Sequence, residues 1–267
     1  RSMKKVKHPV LRYHGSKFRL ASWVISHFKD HTCYVESFGG AAGVLMKKPQ
    51  SYAEVYNDLD GDVFNLFKVL RDPESNLILR ELCALTPYSR EDFELAFTAG
   101  GNDIERARKM VVRSSMGFGT TASSGSPTGF RTDTKRKCAT AQHLWERYPD
   151  NLANVGQRLQ GVLIENKPAM TVAKKHDGEK TQHYFDPPYV MDTRVKGNRG
   201  YNHEMTDDDH LDFLKGALNL EGSIVISGYD TELYNDTLSS WNRHTKSSRI
   251  SAGRGTGVRQ EVIWVKP

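Results

Sequence analysis

Asp186-Pro187-Pro188-Tyr189 directly follows the apolar stretch His183-Tyr184-Phe185. Two prolines end a strand and stiffen the backbone, so a carboxylate, a carbonyl and an aromatic ring stand out together at a sheet edge. That grouping suits methylation of a planar exocyclic amine. The amino lone pair of adenine is delocalised into the ring and attacks poorly until acceptors take hydrogen bonds from its N–H groups and favour a tetrahedral nitrogen. Asp186 and the Pro187 carbonyl can be those acceptors, acting where charge develops in the transition state, while Tyr189 stacks on the base. Alone, the four residues also suit a plain Asx-Pro turn.

Three further groups could hold a cofactor. Glu36-Ser37-Phe38-Gly39-Gly40-Ala41-Ala42-Gly43 is a small-residue turn that lets a ligand approach the backbone closely. It lacks G-x-G-x-x-G spacing, which argues against a dinucleotide enzyme. Tyr56-Asn57-Asp58-Leu59-Asp60 puts an acidic end on a strand, where Asp58 can accept both ribose hydroxyls of an adenosine-bearing ligand and Asp60 can cap the next helix. Tyr13-His14-Gly15-Ser16-Lys17 places an aromatic ring and a lysine on one short turn, suited to a carboxylate-bearing cofactor. It is not a P-loop, because Val10 stands where the first glycine belongs and Phe18 follows the lysine.

These groups need strands to carry them. Apolar runs predict strands at 34–38, 53–56, 161–164, 184–185, 223–226 and 262–265. Val63, Phe64, Phe67 and Leu70 have helical spacing from Gly61 to a stop near Asp72-Pro73, and Thr206 caps a helix through Leu211, Leu214 and Leu218 behind three aspartates. Alternating strand and helix predicts an α/β sheet with ligands at the carboxyl ends of its strands. Residues 76–160 read as mostly helical, interrupted at 114–137 by Ser, Thr, Gly and basic residues, a stretch expected to be a mobile loop or small insertion.

Composition narrows the class. The 267 residues carry a net charge of +6, with basic excess concentrated in 1–30, 101–140 and 241–267, as in proteins that meet a polyanion. No apolar run approaches the ~20 residues of a bilayer helix, and the first residues lack the apolar stretch of a secretory leader, so a cytoplasmic protein is expected. Three cysteines without close pairing make a disulfide framework and a cysteine-rich zinc site improbable. Cys33, Cys83 and Cys138 follow Thr32, Leu82 and Lys137, so no Pro-Cys nucleophile of a cytosine methyltransferase is present. His203-Glu204 lacks the second histidine of H-E-x-x-H, His27 and His31 have no further obvious ligands, and G-x-S-x-G is absent, so neither a metal nor a serine hydrolase is expected.

In this order, the four groups resemble the DNA adenine-N6 methyltransferases of the α group, the Dam-like family with its D-P-P-Y motif, over most of the chain apart from its middle. Arg259-Gln260-Glu261-Val262-Ile263-Trp264 is also similar to the family's last strand. The resemblance implies a Rossmann-like sheet with a mostly helical target-recognition insertion, and S-adenosylmethionine as cofactor. It implies cofactor contacts from Tyr13, Lys17, Phe38, Gly40, Asp58 and Asp186, and a catalytic role for Asp186, Pro187, Pro188 and Tyr189 on the target base. The sequence departs from the family at Ser37, which replaces a proline, at Ala42, which replaces a glycine, and at His14 within the first turn.

The expected division is a catalytic domain of 1–72 and 161–267 and a helical insertion of 73–160. Arg113, Arg131, Lys135, Arg136 and Lys137 are the candidate contacts to double-stranded DNA. With one Asn and no Gln in 101–140, few side chains can read adenine edges, so relaxed or very short sequence preference is expected. Methylation of structured RNA and a non-catalytic DNA-binding module on the same fold are the alternatives. A monomer is compatible with all of these.

Overall fold

A computed structural model describes residues 5–13, 16–119, 125, 127–135, 137, 140–188, 203–252 and 255–267, and their side chains apart from those of 249–258. Its centre is a seven-stranded sheet in the order β3-β2-β1-β4-β5-β7-β6. The strands are β1 (Cys33–Glu36), β2 (Ala53–Asn57), β3 (Val162–Glu165), β4 (Thr181–Phe185), β5 (Ser223–Gly228), β6 (Asn242–Ala252) and β7 (Gly255–Val265). The first five are parallel, and β7 runs antiparallel to both β5 and β6. The chain moves outward from β1 to β3 and returns on the other side of β1 as β4. Strand order therefore reverses between β1 and β4, and in open α/β sheets that switch point opens a crevice beyond the carboxyl ends of the strands.

Alternate residues of each strand feed opposite faces. Tyr34, Tyr56, Tyr184, Val225 and Ile263 join one apolar cluster, while Phe185, Ile224, Ile226, Val262 and Trp264 join another. Helices cover both faces. On the first lie α2 (Gly43–Lys47), α3 (Gly61–Arg71), α4 (Pro73–Leu85), α5 (Arg90–Leu95), α6 (Asp103–Met116) and α7 (Ala141–Arg158). On the second lie α9 (Asp207–Leu218) and α10 (Glu232–Thr237), while α8 (Ala169–Lys175) also packs there. The short α1 (Ala21–Ile25) precedes the sheet. The helical segment after α3 shares its apolar cluster with the sheet, since Leu79, Val111, Val112, Leu152 and Val155 join Tyr56 and Phe67.

Local signals act as their chemistry requires. Asp60 caps α3 by accepting from the Asp62 and Val63 N–H groups at 2.9 and 3.3 Å. α3 stops at Arg71 and Pro73 opens α4 under an Asp72 cap. Thr206 and Asp209 form a reciprocal capping box on α9.

Three readings need correction. β1 ends at Glu36, so Ser37 and Phe38 leave the strand and line its crevice. β6 was not foreseen, because Asn242 to Ser247 lie exposed on an edge strand that needs no apolar alternation. The helix break expected at 114 comes later. α6 continues to Met116, Phe118 N–H donates to the Gly129 carbonyl at 2.9 Å, and Arg131 N–H donates to the Met116 carbonyl at 2.8 Å.

Ala42 is the one non-glycine residue with positive φ among the described residues (φ 54°). A left-handed alanine costs about 1–2 kcal/mol, and glycine returns about 0.4–1 kcal/mol of that through the unfolded chain. Ala42→Gly is thus expected to raise stability by up to about 1 kcal/mol in urea unfolding. A clear loss would mean that the buried methyl outweighs the strain.

Candidate active site

The crevice at the switch point is a cavity of about 510 Å³, within the size range of small-molecule sites. All six residues expected to touch a cofactor line it: Tyr13, Lys17, Phe38, Gly40, Asp58 and Asp186. Pro188 lines it as well, whereas Pro187 borders a small neighbouring crevice with Ser227 and Tyr234. Tyr189 and Arg136 lie outside the described residues, as does His14.

The glycine turn is shaped by close approach. A Cβ on Gly43 would lie 2.6 Å from the Phe18 backbone nitrogen, so only glycine lets the backbone of Lys17 and Phe18 sit against α2. Gly40 (φ +49°) turns its N–H toward Asp58 Oδ2, donating at 2.7 Å, and the Asp60 N–H donates to Asp58 Oδ1 at 2.8 Å. Burial pushes the Asp58 carboxyl up to about 6 despite these two donors, and neighbouring Asp60 adds to the rise. The folded protein therefore holds this proton more tightly than the unfolded chain. The stability it contributes is present at low pH and is lost as pH rises from the ordinary value of 3.8 through about 6. Tyr13 is held in its neutral phenol form by burial and by Asp58 and Asp60.

Asp186, at the carboxyl end of β4, is 18 % exposed and sits in a network that the sequence did not disclose. Lys17, only 4 % exposed, places Nζ 3.2 Å from Asp186 Oδ1 and 3.8 Å from Glu261 Oε2. Ser227 Oγ donates to Asp186 Oδ1 at 2.8 Å and lies 2.9 Å from the Tyr184 hydroxyl. A serine has one proton, and the carboxylate takes it, so Tyr184 is the donor to Ser227. The Asp186 carboxylate is thereby oriented by a buried cation and a two-hydroxyl chain. Glu261 is pushed up by burial, and Lys17 opposes the rise.

Three side chains of the site were not assigned from sequence. Glu36 lines the cavity, accepts from the Tyr34 hydroxyl at 2.8 Å and the Leu45 N–H at 3.0 Å, and is pushed up to about 8 by burial. Ser227 and Glu261 are the others. Each is a polar residue within or bordering an apolar strand, which is the signal that could have marked it.

The basic candidates are placed less uniformly. Arg113 Nη1 donates to the Ala96 carbonyl at 2.6 Å, and Arg131 Nη1 donates to the Ser115 carbonyl at 3.2 Å, so both brace backbone around α6. Lys135 and Lys137 are exposed. Asn102, the single asparagine of 101–140, caps α6 by accepting from Glu105 N–H at 2.9 Å. Among the described residues no group of three or more His, Cys, Asp or Glu is placed to hold a metal ion, and no helix is long and apolar enough to cross a membrane.

A buried lysine and a strand-end D-P-P carboxylate thus meet in one crevice with an acidic β2 end. The model of the D12 class N6 adenine-specific DNA methyltransferases matches residues 13–251. The chain belongs to this family. No curated protein matches it. The match begins at Tyr13 and runs through the helical segment, so the methyltransferase assignment covers the cofactor turn, the D-P-P-Y run and the residues between β2 and β3. The protein is an enzyme of DNA adenine methylation on a Rossmann-like methyltransferase sheet.

Proposed function

We propose that the enzyme methylates adenine N6 in double-stranded DNA from S-adenosylmethionine held in the switch-point cavity. The observation that carries this reading is the convergence of Lys17, Asp58 and Asp186 on one cavity from three separate strand ends or turns. The residues fit the donor: a buried carboxylate already gripped by two N–H groups retains lone pairs for ribose hydroxyls, and Phe38 supplies a ring beside them. When bound, S-adenosylmethionine supplies the activated methyl group.

The chain's own residues supply position and charge. Adenine leaves the stack to reach the D-P-P-Y run. Asp186 and the Pro187 carbonyl accept hydrogen bonds from its amino group, Lys17 and Ser227 keep the Asp186 carboxylate in one orientation, and Tyr189 stacks on the ring. Direct displacement needs a line of approach and no covalent enzyme intermediate. Residues 73–160 serve as the recognition segment, with Lys135, Arg136 and Lys137 among the phosphate contacts. Sequence preference is relaxed, because the single amide of 101–140 is committed to a helix cap.

Incubation with donor and unmodified duplex DNA, digestion to nucleosides and mass spectrometry should return N6-methyladenine, and mapping of modified sites should return no strict motif of four or more bases. A methylated cytosine would overturn the assignment. One strict long motif would overturn only the relaxed preference.

Ionised Asp58 is the better ribose acceptor, so donor affinity is expected to weaken as pH falls through about 6, by at most about tenfold per pH unit. Titration calorimetry across this range checks it, with Asp58→Asn expected to bind weakly and without the pH step.

A further inference from the structure

β6 and β7 pair along their whole length, from Asn242↔Val265 to Ala252↔Gly255, yet only Val262–Val265 of β7 also pair with β5. The remaining seven residues of β7, Gly255–Glu261, and their partners on β6 run on past the end of β5 at Gly228. At about 3.3 Å per residue the arm extends roughly 20 Å. β4 and β5 are parallel, so this is the carboxyl edge, where Asp186 follows β4. At the root of the arm Glu261 meets Lys17.

The composition of the arm excludes an apolar partner. From Asn242 to Gln260 the chain carries five Lys or Arg and no Asp or Glu, with Ser, Thr and Gly making up much of the rest. Arg243 is spent at the root on Asp230, 3.0 Å away. Further out, the exposed Arg259 lies with its guanidinium 4.5 Å over the Tyr229 ring, and the exposed Lys246 has Nζ 5.8 Å from the Trp23 ring centroid. Among the described residues neither has a carboxylate within ion-pair distance. Rings beneath the two cations restrict them without neutralising them, which suits contact with a polyanion. The helical segment leaves β2 and returns to β3, at the far end of the sheet order from this arm.

We propose that the β6–β7 arm is a second DNA-holding element: Lys246 and Arg259 contact backbone phosphates of the duplex flanking the extruded adenine, on the side of β4 opposite the recognition segment. This rests on the DNA-methylating reading. Two holds on either side of the base would keep the duplex fixed while one nucleotide is out of the stack.

The test compares the parent protein with its Lys246→Gln/Arg259→Gln variant, using fluorescence anisotropy on a labelled duplex at several salt concentrations. Loss of two phosphate contacts should shrink the slope of log K against log[salt] by about 1.8. The affinity gap between the two proteins should therefore close by about tenfold between roughly 50 and 200 mM salt. S-adenosylmethionine affinity and melting temperature should stay unchanged. Lys246→Gln alone, on the exposed edge strand, should take about half the slope change and serves if the double variant fails to fold. An unchanged slope in both variants overturns the arm's role. Anisotropy needs no turnover, so a parent protein that binds duplex yet forms no N6-methyladenine would overturn the function while leaving the arm standing.

Discussion

Asp186→Ala is expected to keep its fold at some cost in stability, because buried Lys17 is left facing Glu261, and to lose methyl transfer by at least about 10²–10³-fold, the usual cost of removing one group that stabilises developing charge. The side chain is 18 % exposed at a strand end and carries no core packing, so its loss leaves the apolar clusters on both sheet faces intact. Single-turnover transfer to duplex DNA at saturating donor is the measurement, with circular dichroism as the fold control. Asp186→Asn keeps the shape and one acceptor oxygen but loses the charge that faces Lys17, so it should fall between the parent and alanine. Near-normal turnover by Asp186→Ala would remove the carboxylate from the chemistry and with it the proposed mechanism.

Lys17→Met should be as damaging, through a different route. Lys17 is the buried cation between Asp186 and Glu261, and without it two carboxylates share a crevice with only the more distant charge of Arg259 acting on Glu261. Removing one partner from a buried pair typically costs about 3–5 kcal/mol, because the other charge is left stranded. The variant should therefore unfold in urea at least about 2–3 kcal/mol more easily near neutral pH, allowing for the partial exposure of Asp186. It should recover part of that loss on acidification. The sign follows from linkage: without the lysine the folded-state Glu261 carboxyl holds its proton more tightly, so stability is present at low pH and declines as pH rises through its raised value. Glu261 is already pushed up by burial with Lys17 present, and the substitution removes the largest of the influences that oppose that rise. A Lys17→Met protein as stable as its parent, with no pH dependence of the difference, would show that the pair is not energetically coupled. Methyl transfer should fall in parallel, since Asp186 loses one of the two groups that orient it.

Much of the fold was legible because burial leaves a periodic trace. Apolar runs marked six of the seven strands, and Asp60 and Thr206 marked helix starts by cap chemistry. β6 left no such trace, since a strand paired on one side and open to water on the other can be written in Arg, His, Lys and Ser. The same logic separates the basic residues. Arg113 and Arg131 are basic like Lys135 and Lys137, yet the first two are engaged with backbone carbonyls around α6 while the lysines are exposed, and nothing in one-dimensional spacing distinguishes the two placements.

By itself the sequence determined the chemistry on offer: a D-P-P-Y carboxylate at a strand end, an acidic second strand end, a glycine turn and an amino-terminal lysine, all of which act through local geometry. Only the tertiary structure decided which of these meet. Lys17, Asp186, Ser227 and Glu261 lie on four separate stretches of chain, and they converge because β4 returns beside β1 and β7 inserts antiparallel beside β5. Charge pairing in a buried crevice depends on distances of a few ångströms between residues remote in the chain, and those distances are a property of strand order, which no local pattern encodes.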